Sequence, residues 1–359
     1  MNMAFAELDR SKLRSNYELL DQHFKTRDIH WGVVTKVLCG NELYLKEVLS
    51  LGPNEVHDSR ISNLKTVKKL NPDIQTVYIK PPAKRSIDDV VKYADVSFNT
   101  EFYTIDLLSK EAVKQGKTHK IIIMIELGDL REGVMGEAFV DFYRKVFRLP
   151  GIEVVGIGSN LNCLHGVMPS EDKFIQLGLY KELVKAYFKV DIPWVTGGTS
   201  VVLSMMYNNR LPKAVNHFRV GETLFFGANI EENSVFEGMY DDVLKLRAEI
   251  IELTEKPLIP VGELAENPSG EMLEIDQSLY GKRTLRAIID IGLLDISPDY
   301  LIPHDSDIEL VGASSDMLVL DFGHAEKKYQ VGDLVDFKLK YMGALGIMNS
   351  NYIEKRIVN

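Results

Sequence analysis

Residues 31–41 read WGVVTKVLCGN. A short β-branched run, WGVVT, stops at Lys36, and a segment with helical spacing, NELYLKEVLSL (41–51), follows. An apolar run of strand length that gives way to an amphipathic segment is the junction of a βα unit. The same junction recurs along the chain. NEVH, QTVYI, ADVSF, KIIIMIE, EVVGIGS, PWVTG and AVNHFR are further strand candidates. RISNLKTVKKL, EFYTIDLLSKEAVKQ, EAFVDFYRKVF and EDKFIQLGLYKELVKAYF carry helical periodicity between them. Asn41, Ser59 and Ser170 stand where helix N-caps are expected. Eight alternations in roughly 200 residues predict an α/β fold, a (β/α)8 TIM-type barrel. The competing arrangement, a doubly wound open sheet, wants a glycine-rich phosphate fingerprint after its first strand. TKVLCGN does not supply one.

Beyond Gly227 the texture changes. KLRAEIIELTE, TLRAIIDIG, DIELVGA, DMLVLDFG and DLVDFKLKY read as strands, and helical periodicity is nearly absent. ENPSGE and SPDYLIPHDSD read as loops. The expected division is a barrel over 8–230 and a mostly-β domain over 231–359, with residues 1–7 a further candidate part of the second domain.

The bulk composition removes several function classes. Of 359 residues, 42 are basic and 52 acidic, a net charge of -10, which argues against a nucleic-acid footprint. Two cysteines, Cys39 and Cys163, form neither a disulfide framework nor a zinc pattern. Cys39 is expected to pack in the barrel. PHDSD (303–307) lacks ligand spacing and reads as a solvated turn, so no metal is expected. No apolar run reaches membrane-spanning length, and MNMAFAELDRSKL lacks a basic start followed by an apolar core. The expectation is a soluble, cytoplasmic protein without a membrane partner.

Catalytic groups of such barrels sit at the C-terminal ends of the strands. Strand one ends in Lys36, and strand two in His57, Asp58, Ser59 and Arg60. Strand five runs into ELGDLREGVM with Arg131, and strand six into GSNLNCLHG with Asn160, Cys163 and His165. TGGTS (196–200) and HFRVGE (217–222) close strands seven and eight. Glycines and hydroxyls ahead of a helical turn, as at Thr199, Ser200 and Gly221, suit a phosphate. A lysine facing such a cradle has the geometry for a Schiff base with pyridoxal 5'-phosphate. Taken singly, TGGTS is equally a plain βα turn, and Lys36 equally a lysine reaching out to water.

In order and spacing these stretches resemble the alanine racemase group of pyridoxal-phosphate enzymes, over nearly the whole chain. VVTKVLCGN resembles that group's cofactor-lysine strand, ELGDLREGVM its arginine-bearing turn, and HFRVGETLFFG its arginine-then-glycine motif. VTKVLCG, DSRISNL, NLNC, TGGTS, RVGE and GASSDMLVLD are closer in texture to the ornithine racemase-like branch. The resemblance implies an amino-acid racemase in which Lys36 carries the cofactor and Arg219 meets its ring nitrogen. A guanidinium keeps its proton, so the ring stays a weaker electron sink. Arg131, Asn160, Thr199, Ser200, Gly221, Glu222 and Tyr341 are the other implied cofactor contacts, with Met342 an alternative to Tyr341. The resemblance also implies a head-to-tail homodimer whose C-terminal domains complete the partner's site through Ser315 and Asp316.

The departures concern the second base. Leu293 holds the place of the group's catalytic tyrosine, Asn160 that of a ring-stacking histidine, and Met124 that of a lysine carbamylated in some members. Racemisation by two bases needs a group on each face of the α-carbon. Lys36 serves one, and Cys163, His165, Asp316 and Tyr341 are candidates for the other, Cys163 being preferred. The resemblance implies an ornithine- or lysine-like amino acid or alanine as substrate. Asp58, Asp295 and Asp316 are candidates for holding a distal ammonium. Three alternatives stay open: a decarboxylase of the same architecture, a pyridoxal-phosphate carrier without racemase activity, and a barrel enzyme in which Lys36 is incidental.

Overall fold

The eight apolar runs become the staves of one parallel sheet in the computed structural model, which describes residues 4–266, 270, 272–323, 325 and 327–359. In chain order the staves are His30–Val34, Glu55–Asp58, Gln75–Tyr78, Val96–Asn99, His119–Met124, Ile152–Gly158, Trp194–Thr196 and His217–Val220. Each pairs with its successor through Trp194–Thr196, and His217–Val220 pairs with His30–Val34. The seventh stave breaks at Gly197 and resumes as Gly198–Thr199, which pairs with His217–Val220. The two pieces are consecutive in the chain and lie at opposite ends of the strand order, so the sheet closes on itself. A doubly wound sheet would instead reverse its order at a switch point.

Parallel staves are covered on both faces, which is why they read as continuous apolar runs. Val77, Val96, Phe98, Ile122, Met124 and Val155 form a core cluster between them. Polar side chains occupy another part of the interior, and Gly32 makes room for them. A Cβ at position 32 would lie 2.3 Å from His57 Nε2 and 2.6 Å from Glu55 Cγ. That is far inside contact distance, so the glycine of WGVV is there for its neighbour strand's side chains.

The expected helices form, at Glu42–Ser50, Ile61–Leu70, Phe102–Lys114, Phe139–Val146 and Glu171–Phe188. The barrel unit also has the short helices Leu203–Tyr207 and Glu222–Phe226, and two longer ones, Arg10–Lys25 and Ile87–Tyr93, were not anticipated. Asn41 caps as expected, its side chain accepting from Tyr44 N at 3.1 Å. Ser170 holds an N-cap position without a side-chain bond. Ser59 does not cap: Arg60 takes that position, and Asp58 Oδ1 accepts from Arg60 N at 2.9 Å.

The chain divides into two compact units, the barrel unit of Asp9–Val243 with 357–359 and a second of residues 4–8 with 244–356. The second unit is built on an antiparallel sheet in the order Leu301–Pro303, Leu334–Leu339, Leu244–Pro257, Arg283–Ile289, Leu318–Asp321, Glu309–Ala313. Of residues 1–7, residues 4–7 lie in strand Ala4–Asp9, paired antiparallel with Leu244–Pro257, and residues 1–3 lie outside the described residues. Two expectations are corrected. SPDYLIPHDSD contains strand Leu301–Pro303, and YMGALGIMN is a helix, Tyr341–Asn349. Gly343 and Gly346 hid that helix by lowering its propensity. They are glycine for packing: a Cβ would lie 2.8 Å from Tyr300 Cβ and 2.9 Å from Asp295 O respectively. Most of ENPSGE falls outside the described residues. Among the described residues no helix is long and apolar enough to cross a membrane.

Candidate active site

The first strand stops at Val34, and Lys36 opens a single 3-10 turn, Lys36–Leu38, closed by Leu38 N donating to Thr35 O at 2.9 Å. The turn leaves the sheet ladder at the C-terminal end of the barrel. Asp58, fully buried, anchors it: its carboxylate accepts from Thr35 Oγ1 at 3.0 Å and Asn63 Nδ2 at 3.1 Å. With those bonds and the Arg60 amide, Asp58 is spent on the fold and is not placed to hold a substrate ammonium. Cys39 ends the turn with a left-handed backbone and is half-exposed, a correction to the expectation of barrel packing.

The Lys36 side chain reaches solvent, but the protein crowding its amine lowers its pKa. Desolvation is the main cause, Cys163 opposes it, the Arg131 charge adds to it, and Asp58 and Glu222 oppose it. A charge moves a neighbour's pKa only from close by. Residues from the ends of strands one, two, five, six and eight are therefore grouped at one mouth. Glu222 feels Lys36 in return: burial raises its carboxyl and the lysine pulls it down.

Register sets the next layer. Arg219 pairs with Gly32 on one side and Thr199 on the other. Its guanidinium is buried under Phe98, 5.1 Å from that ring's centroid. Nη1 donates to Thr196 O at 2.9 Å and Thr196 Oγ1 at 2.7 Å, and Nη2 to Ser159 O at 3.2 Å and to Asn160 Oδ1. None of these partners is a carboxylate, so the guanidinium is held by neutral oxygens and not by an ion pair. Burial lowers Arg219 to about 10, leaving it cationic at neutral pH. Asn160 continues the chain, donating to Glu132, which also holds Arg131 through two short bonds. The sequence reading missed Glu132. Its only sign in the sequence is adjacency to Arg131.

Asp129 was missed as well. It is buried at the end of the strand-five loop and receives the amides of Cys163 at 3.1 Å, Leu164 at 2.8 Å, His165 at 3.2 Å and Val167 at 3.2 Å. Burial would raise its carboxyl, but the four backbone donors outweigh that and hold it below the usual range. His165 Nδ1 lies 2.9 Å from Asp129 O, so its ring is tied to the same clamp. Cys163 is a free thiol and exposed on this loop. Asp129→Ala should therefore release the amides of 163–167 to hydrogen exchange while the barrel strands stay protected. It should also cost roughly 1–3 kcal/mol of stability through the orphaned donors. Unchanged protection at 163–167 would show that the loop does not depend on Asp129.

On the phosphate side, Ser200 Oγ accepts from Thr223 N at 3.2 Å and ties the two candidate turns together. Gly221 packs against strand one, where a Cβ would lie 2.9 Å from Val34 O. The Ser159 hydroxyl, beside Arg219, is buried without a hydrogen-bond partner. A crowded amine, a buried guanidinium, glycine turns with hydroxyls and an unmatched hydroxyl fit a phosphorylated aromatic aldehyde.

The remaining sequence candidates belong to the second unit. Gly292 packs on Asp316, where a Cβ would lie 2.5 Å from its backbone nitrogen, and Leu293 N donates to Ser314 O at 3.0 Å. The stretch holding Leu293 and that holding Ser315 and Asp316 thus lie together, with both Ser314 and Ser315 hydroxyls on the exposed Asp316. Tyr341 opens its helix next to Met342. Asp295 accepts from Ser350 Oγ at 2.5 Å.

Residues 8–229 match the family described as alanine racemase, N-terminal domain. The chain is 34% identical over 352 residues to the ornithine racemase of Acetoanaerobium sticklandii, covering 98% of each. It is 32% identical over 329 residues to the lysine racemase of Thermotoga maritima, covering 90% of this chain and 89% of the relative. Among solved structures, the alanine racemase of Bartonella henselae with covalently bound pyridoxal phosphate superposes with a TM-score of 0.75. The identity there is 16% with full coverage of both chains, a likeness of fold.

Proposed function

We propose, on the premise that this chain belongs to the alanine racemase family, that it is a pyridoxal-5'-phosphate-dependent racemase of a free basic amino acid, ornithine or lysine. The observation that carries the reading is the grouping of Lys36, Cys163 and Arg219 at one barrel mouth. The bound cofactor supplies an electron sink that acidifies the substrate's α-hydrogen. Lys36 holds it and moves the proton on one face of the α-carbon. Cys163, exposed on its clamped loop, moves the proton on the other. Arg219, braced by Thr196 and Asn160, would meet the cofactor's ring nitrogen, and Arg131 with Glu132 would help to hold the cofactor. Thr199, Ser200, Gly221 and the first amides of the short helix Glu222–Phe226 would hold the phosphate.

The substrate class rests on full-length similarity to an ornithine and a lysine racemase. A second copy of the chain belongs to the same reading. Leu130, Leu164 and Met168 on the mouth loops are exposed apolar side chains, and a homodimer would cover them. The test is to load the protein with pyridoxal phosphate, offer L-ornithine, L-lysine, L-alanine and L-serine singly, and separate the enantiomers chromatographically. D-ornithine or D-lysine should form fastest. D-alanine forming far ahead of both would overturn the basic-substrate assignment, and no D-product from any of them would overturn the racemase.

A further inference from the structure

The barrel interior beneath Arg219 holds polar groups that the proton transfers above do not use. Thr196, His217, Glu55 and His57 are all buried. Thr196 Oγ1, which receives Arg219 Nη1 at 2.7 Å, lies 2.8 Å from His217 Nδ1. His217 Nε2 lies 2.6 Å from Glu55 Oε1, and Glu55 Oε2 accepts from Gln75 Nε2 at 2.7 Å. Trp194 stacks flat on the His217 ring, with centroids 4.6 Å apart and planes 17° apart. Barrel interiors are ordinarily filled by branched apolar side chains. A carboxylate there is costly unless every lone pair is matched.

We infer that Thr196, His217 and Glu55 form a buried relay of positioning residues that fixes the guanidinium of Arg219. The inference rests on the reading above, in which Arg219 meets the cofactor ring.

Proton counting gives the relay one arrangement. Arg219 only donates, so it takes a lone pair of Thr196 Oγ1. Thr196 Oγ1 has a second lone pair as well as its one proton, and among the described contacts that proton finds an acceptor only at His217 Nδ1, so matching every group requires Nδ1 to be bare. His217 therefore carries its proton on Nε2 and donates it to an ionised Glu55. Burial disfavours that ionisation, but attraction and hydrogen bonds from His217 and His57 outweigh it and hold the carboxyl well below the usual range. Each bond has one direction, so the guanidinium is held by a network without alternative proton placements. Glu55, His57 and His217 also have the residue types of a metal ligand set. Both Glu55 oxygens and both His217 nitrogens are already engaged, and His57 Nε2 also lies 3.2 Å from Glu55 Oε1.

Two measurements test this. In the cofactor-free full chain labelled with 15N-histidine, one ring, identified by its loss in His217→Gln, should be neutral with its proton on Nε2. In the pyridoxal-phosphate-loaded protein, Thr196→Val should shift the cofactor's visible absorbance and lower kcat about 10- to 100-fold, the usual scale for outer-shell partners. KM should change little, and Thr196→Ser should restore both. A His217 ring protonated on Nδ1, or on both nitrogens, would overturn the relay. So would unaltered absorbance in Thr196→Val beside altered absorbance in Arg219→Gln. Unaltered absorbance in both variants would remove the premise that Arg219 faces the ring, and the relay's role with it.

Discussion

Lys36→Ala should abolish α-proton removal from the substrate, a loss on the order of 10^4-fold for a group that is both base and cofactor anchor. The variant should fold normally. The Lys36 side chain is exposed, and the Lys36–Leu38 turn is closed by backbone bonds and by Asp58 beneath it. Circular dichroism should therefore match the parent while the visible absorbance of bound pyridoxal phosphate changes. The lowered pKa of Lys36 adds a sign. Its free amine is the reactive form, and a lowered pKa enlarges that fraction at neutral pH. Cofactor uptake by the apo protein should thus rise with pH through a midpoint below the ordinary lysine range. A Lys36→Ala protein that keeps exchange and absorbance would show that the lysine is incidental.

The second large effect is expected at Cys163. A racemase interconverts species of equal free energy, so losing either base slows net racemisation equally in both directions. Exchange separates the faces. Cys163→Ser should cut racemisation about 10^2- to 10^4-fold, the worth of a positioned acid–base group. One enantiomer should keep exchanging its α-proton with solvent through Lys36, with configuration retained. The other should lose exchange. A Cys163→Ser protein that exchanges and racemises both enantiomers at the parent rate would pass the role to another group. His165 is poorly placed for it, because its ring is held on Asp129 O.

These effects trace back to residues of unequal legibility. The barrel could be read because short β-rich stretches alternate regularly with segments of helical period, even where a stave such as Glu55–Asp58 carries a single apolar residue. Lys36, Arg131, Asn160, Cys163 and Arg219 could be read because strand ends of such a barrel converge. The links between them could not. Asp129 meets amides from 163 to 167, and Glu132 meets Asn160, across loops that no local pattern relates. Glu55 and His217 are 162 positions apart, and inside NEVH and NHFR they look like ordinary strand residues. Gly32 is a neutral member of WGVV in the sequence, and its reason lies in His57, which fills the space a Cβ would need. The unforeseen helices of the barrel unit have another cause. Arg10–Lys25 buries Leu13, Tyr17, Leu20 and Phe24 at helical spacing, but strongly polar residues surround them, and Ile87–Tyr93 is too short to show a period.

The most direct test of the account is solvent exchange at the α-carbon. The protein, saturated with pyridoxal phosphate in heavy water, is given L-ornithine, and the α-proton signal is followed by NMR together with the optical rotation. The account predicts loss of the α-proton and loss of rotation together, with D-ornithine accumulating to equality. Exchange with rotation retained would leave Lys36 acting alone and contradict the two-base site. No exchange with ornithine, lysine or alanine while the cofactor is visibly bound would contradict the racemase itself.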